Sequence, residues 1–83
     1  MPTIIFINGW RLFFYSNEGN EPMHIHAIKG NMECKYWILK ESVEIQEAFS
    51  FNLTTPARRE IKKIIYQNFD EIIKAWQIHF KKK

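Results

Sequence analysis

The tripeptide His24-Ile25-His26 is the sharpest chemical feature of the chain. It sits in residues 23–28 (MHIHAI), where apolar residues recur with period two. On a strand, residues two apart project from one face, roughly 6–7 Å apart. Two imidazoles so placed can divide acid and base duties. The chemistry this suggests is metal-free cleavage of RNA. A histidine takes a proton from a 2′-hydroxyl and returns one to the leaving oxygen. A cation beside it neutralises the phosphorane charge, and Lys35 and Arg11 are the candidates. Trp37 and Tyr15 are candidates for stacking on exposed bases. The same pair could bind a metal, but two histidines fall short of the three protein ligands that catalytic zinc takes. No metal ligand set and no cofactor is therefore assigned. Against these stands a plainer reading, in which both histidines are exposed sheet residues packed on Trp37.

The elements that must position this pair are legible from local patterns. Residues 3–7 (TIIFI) are β-branched and aromatic, and Asn8-Gly9 follows. Both central residues of a type I′ turn need positive φ, which Asn and Gly tolerate best. Residues 10–15 (WRLFFY) form the return strand. The two-residue turn pairs Ile7 with Trp10, Ile5 with Leu12 and Ile4 with Phe13. Ile4, Phe6, Phe13 and Tyr15 then share a second apolar face with Arg11. That face is a candidate surface for a partner subunit or a homo-oligomer.

Residues 16–22 (SNEGNEP) read as a polar loop placed to act as a lid over the histidines. Strands at about 23–29 and 32–39 follow, joined at Gly30-Asn31. A two-residue turn there sets Ala27 opposite Cys34, Ile25 opposite Tyr36, His26 opposite Lys35 and His24 opposite Trp37. His24, His26, Glu33, Lys35 and Trp37 then point one way, and Ile25, Ala27, Cys34 and Tyr36 the other. Cys34 reads as a small core residue. A fifth strand is placed near 42–50.

Thr55-Pro56 signals a helix start. Beyond it Ile61, Ile64, Ile65, Phe69, Ile72, Ile73, Trp76 and Phe80 recur every three or four residues. The helical region spans about 56–80. Asn68 could split it, while the unbroken stripe argues for one helix or a gentle kink. The expected fold is α+β: an antiparallel meander of four or five strands followed by a C-terminal helical layer on one face. In that layering His79 does not reach the histidine face.

Composition bounds the class. Eighty-three residues make one domain, and 46% hydrophobic content with thirteen aromatic residues excludes disorder. A single cysteine excludes an internal disulfide framework. No glycine-rich phosphate loop and no serine-nucleophile motif occurs. No run of about 18 apolar residues and no secretory leader is present, so a cytoplasmic protein without membrane attachment is expected. The net charge of +3 is uneven: residues 1–57 carry four basic and six acidic residues, residues 58–83 eight basic and three acidic. Arg58, Arg59, Lys62 and Lys63 could touch phosphates, although exposed basic residues on a helix often serve solvation alone.

Met1-Pro2-Thr3-Ile4, the Asn8-Gly9 turn into a Phe/Tyr-rich strand, Ser16-Asn17-Glu18, Pro22 with His24-Ile25-His26, Gly30, and Lys35-Tyr36-Trp37 together resemble the family called domain of unknown function 4160. Residues 72–80, with Ala75-Trp76, are similar to that family's C-terminal helix. The family pattern commonly runs Pro-Pro-His, and here Met23 follows Pro22. The resemblance implies a small prokaryotic protein often encoded beside another small domain of unknown function. That pairing implies a toxin–antitoxin module, with this type as the suspected toxin and its neighbour as an antitoxin-like partner. The resulting expectation is a toxin-like protein that binds RNA and is a candidate ribonuclease, with His24 and His26 as acid and base. The alternatives are a non-enzymatic interaction module and a metal-binding protein.

Overall fold

The computed structural model describes residues 3–15 and 20–80. The Met1-Pro2 pair, residues 16–19 of the expected lid and the basic tail at 81–83 lie outside them. Five strands come first: β1 (Thr3–Ile7), β2 (Trp10–Phe13), β3 (His24–Lys29), β4 (Met32–Leu39) and β5 (Glu44–Phe51). Two helices follow, α1 (Thr55–Gln67) and α2 (Phe69–His79). The strands form one antiparallel sheet in chain order, so β1 and β5 are its edges. The fold is the expected α+β arrangement, a meander followed by helices.

Turn chemistry sets the register. Asn8 and Gly9 have φ of 53° and 82°, the left-handed pair that a type I′ turn requires. Ile7 pairs with Trp10 and Ile5 with Leu12, as the turn predicts. Phe13, however, pairs with Thr3 rather than Ile4, because the register shifts between Thr3 and Ile5. A bulge adds one residue to one strand and displaces every pairing beyond it. The β3–β4 register matches the expectation at all four predicted pairs.

The core lies between the sheet and the helices. Leu12, Ile25, Ala27 and Tyr36 meet Ile61, Ile65 and Ile72, all fully buried. Apolar spacing aims α1 inward with Ala57, Ile61, Ile64 and Ile65, leaving Arg59, Lys62 and Lys63 exposed. Its cap is Thr54, whose hydroxyl accepts from the Ala57 amide at 3.2 Å, one residue earlier than the Thr55-Pro56 signal suggests. The helical region is two helices. The Asn68 side-chain amide donates to the Ile64 carbonyl at 2.8 Å, and its backbone N–H also bonds back into α1. Asn68 thus closes α1 rather than capping α2 through its side chain. The apolar stripe survives the break because Phe69, Ile72 and Trp76 still face the core.

Candidate functional site

The site expected from sequence lies on the sheet face opposite that of Leu12, Ile25 and Tyr36. Strand pairing lays its side chains out in rows running across the strands. The outer row is Phe6, Arg11, Ile28, Glu33 and Phe51, one residue from each strand. The next, inner row holds Phe13, His26, Lys35 and Phe49. Beyond it His24 pairs with Trp37, and Trp37 with Gln46.

Sequence parity put His24, His26, Glu33, Lys35 and Trp37 on one face; the structure brings them there, and strand pairing adds Arg11 to the same face. The two imidazole centroids are 5.2 Å apart. They are not exposed, which corrects the expectation of an open histidine pair. His24 is fully buried and His26 is 3% exposed. The His26 ring stacks on Phe13 at 5.3 Å and takes the edge of Tyr15 at 4.7 Å. The His24 ring meets Trp37 at 5.5 Å and, from α2, Trp76 at 4.9 Å. The helical layer therefore touches the histidine cluster, although His79 packs against Phe14 and Phe80 instead.

The connection between β2 and β3 supplies more of the cover. Tyr15 closes over His26 at one of its ends. At the other, Glu21 pairs with the Lys35 ammonium at 3.0 Å, and its carboxylate lies 4.0 Å from His24. The Nδ1–H of His24 donates to the Pro22 carbonyl at 2.8 Å, which assigns that tautomer to its ring. Lys35, proposed to stabilise a phosphorane, is 9% exposed, lies 4.4 Å over the Trp37 ring and is paired with a carboxylate. Trp37 and Tyr15 are half-buried against the imidazoles. In this arrangement both imidazoles are covered by protein, and the Tyr15 and Trp37 rings pack against them.

Arg11 lies on the same face but in the outer row, with its guanidinium 5.0 Å over the Phe13 ring. Arg58 is engaged within the fold. Its Nε donates to the Glu47 carboxylate at 2.8 Å, and that carboxylate also accepts from the Tyr36 and Ser50 hydroxyls. These bonds tie α1 to β4 and β5. The guanidinium holds the Glu47 carboxyl below its ordinary 4.5. Burial first, and then the bond to Glu47, raise the Tyr36 hydroxyl well above its usual range. Burial pushes the Cys34 thiol up to about 12, which makes it the inert core residue that parity indicates.

Among the described residues no group of three or more metal-ligating side chains occurs, so the metal reading gains no support. Two clefts lie away from the histidines. One, of about 380 Å³, is lined by Val43, Tyr66, Asn68 and Asp70. The other, of about 520 Å³, lies beside the start of α1 between Lys29, Met32, Arg59 and Lys63. No described helix is long and apolar enough to cross a membrane.

The open aromatic side chains of this face stand on its edge strands, at both ends of the outer row and at one end of the inner row. Phe6 is 71% exposed and Phe51 60%, and Phe49 beside them is 37% exposed. Of the residues expected to dock a partner, Phe6 is open, Tyr15 is half-buried and Phe13 is fully buried, while Ile4, at the register shift, packs against the hydrophobic core instead of standing on a free docking face. Phe49 and Phe51 were missed because β5 had no assigned register. Their two-residue spacing was the available signal.

Comparison with curated proteins and with solved structures finds no match. A family model does match, over residues 9–77, a span that includes the histidine strand, all of β2 to β5, all of α1 and most of α2. On that match the chain belongs to the family described as Domain of unknown function (DUF4160).

Proposed function

We propose that this protein is a docking module in which the outer row of the histidine-bearing sheet face binds a partner protein, and that its role is association rather than hydrolysis. One observation carries the reading: Phe6 and Phe51, largely exposed, stand at the two ends of a row that also holds Arg11, Ile28 and Glu33. Exposed aromatic side chains on one face favour protein association. The row carries one cation and one anion, a balance suited to a protein surface and unsuited to a polyanion. A two-protein module, as the family resemblance implies, accords with it.

RNA binding is a second reading, favoured by the opposite side of the molecule. Arg59, Lys62 and Lys63 are exposed on α1, beside a groove that Lys29 and its ion-pair partner Glu60 border. There the toxin-like role would rest on phosphate contacts, with affinity falling steeply as salt rises.

Photo-cross-linking in cells separates the two. A photoreactive residue replaces Phe51 in one variant and Lys62 in another. The docking reading expects protein adducts from position 51 and few from position 62. Nucleic-acid adducts at position 62, with nothing specific at position 51, would replace it with the RNA reading.

A further inference from the structure

The outer row is self-complementary. Read from β1 to β5 it runs Phe6, Arg11, Ile28, Glu33, Phe51: aromatic, cation, aliphatic, anion, aromatic. Ile28 lies on the central strand, with Arg11 one strand away on one side and Glu33 one strand away on the other. The row spans four strand spacings of about 4.8 Å, roughly 19 Å in all. Reversal end for end sets Arg11 against Glu33, Phe6 against Phe51 and Ile28 against itself.

We propose that the occupant of this face is a second copy of the chain. The two-fold axis lies in the contact plane, along β3 and over Ile28. Each Arg11 then meets the other protomer's Glu33, giving two equivalent ion pairs around an apolar centre. Each Phe6 meets the other's Phe51. A two-fold contact must satisfy each residue twice with its own sequence, and this row does so in both charge and apolar character. An axis running along the row instead would set Arg11 on Arg11 and Glu33 on Glu33, which like-charge repulsion disfavours. Tyr15 and Glu21 stand over the inner row, so the two sheets meet along the outer row and splay apart beyond it. A contact one row deep falls short of the roughly 1,200 Å² of a standard interface, so the dimer is weak. The inference rests on the docking reading and names its partner.

Sedimentation equilibrium of the full chain, from about 1 µM to about 1 mM, tests it. A reversible dimer is expected. Arg11→Glu and Glu33→Arg should each weaken it about tenfold or more, and the double variant should recover to within about threefold. Since Arg11→Glu also removes a cation from the Phe13 ring, an Ile28→Cys variant gives an independent readout. A short bis-maleimide that spans the roughly 10 Å between facing sheets should link it into a covalent dimer, while wild-type protein, with Cys34 fully buried, is not linked. A chain still monomeric at about 1 mM overturns the proposal. So does a dimer indifferent to both single reversals, or one that the bis-maleimide fails to link in the Ile28→Cys variant. A monomer whose position-51 photoadducts are to a different protein overturns self-association and keeps the docking reading. A monomer with no face-specific protein adducts removes both.

Discussion

Two adjacent rows of the same sheet face behave differently. Both belong to one pleat parity, and both mix aromatic residues with a cation. In the inner row Phe13, His26 and Lys35, on β2 to β4, are all buried, and Phe49, on edge strand β5, is exposed; in the outer row Phe6 and Phe51, on the edge strands, stand open to solvent while Arg11, Ile28 and Glu33 between them are half-buried. Edge position makes part of this difference. On the central strands the rest comes from what packs against the inner row. Tyr15 and Glu21 close over the inner row, and Trp76 of α2 reaches the His24 ring at its far end. Alternation assigns a side chain to a face, and the cover over that face decides its burial.

Three measurements can break or sharpen this contrast. The largest effect is expected at Phe13. Truncation to Ala empties a site packed by His26 and Tyr15, and should cost about 3–5 kcal/mol in urea unfolding. A cost under about 1 kcal/mol would mean the inner row is only loosely covered.

The helix-covered side supplies a second contrast, readable by pH. A carboxyl whose folded pKa lies below its unfolded value stabilises the fold above that unfolded value. The contribution is lost as pH falls through the folded value. Glu47, held below its ordinary 4.5 by Arg58, should follow this course. The stability gap between wild-type protein and Glu47→Gln should be full above pH 4.5 and shrink below it. A gap that stays constant down through acid pH would remove Glu47 as the tie between α1 and the sheet.

The smallest effect is expected in the outer row. Phe6→Ser and Phe51→Ser should each change monomer stability by no more than about 0.5 kcal/mol, since these rings are largely exposed. If either cost as much as Phe13→Ala, the two rows would share one core and the open face would lose its basis as a docking surface.

Much of the fold was legible because its signals are local. Asn8-Gly9 specifies a turn through the φ values its own residues accept, and the β3–β4 pairing follows from a two-residue connection. The co-facial placement of His24, His26, Lys35 and Trp37 followed from the same counting. The bulge between Thr3 and Ile5 was not legible, because no local preference marks it. The break at Asn68 was half legible: the residue type suited a helix end, but the continuous apolar stripe argued against one. The Arg58–Glu47 pair was hidden because its partners come from different elements, and its geometry depends on how α1 lies on the sheet.

The chain by itself determined which residues are strand, turn and helix and which side chains share a face, since steric limits on φ and the periods of strand and helix act within a few residues. It likewise determined that the two imidazoles would emerge side by side. Tertiary structure alone decided that they are covered and that Phe6 and Phe51 are not. The imidazoles' burial needs Tyr15 and Glu21 from the β2–β3 connection to fold back on the inner row and Trp76, far along the chain, to arrive beside His24, and no local period encodes that meeting.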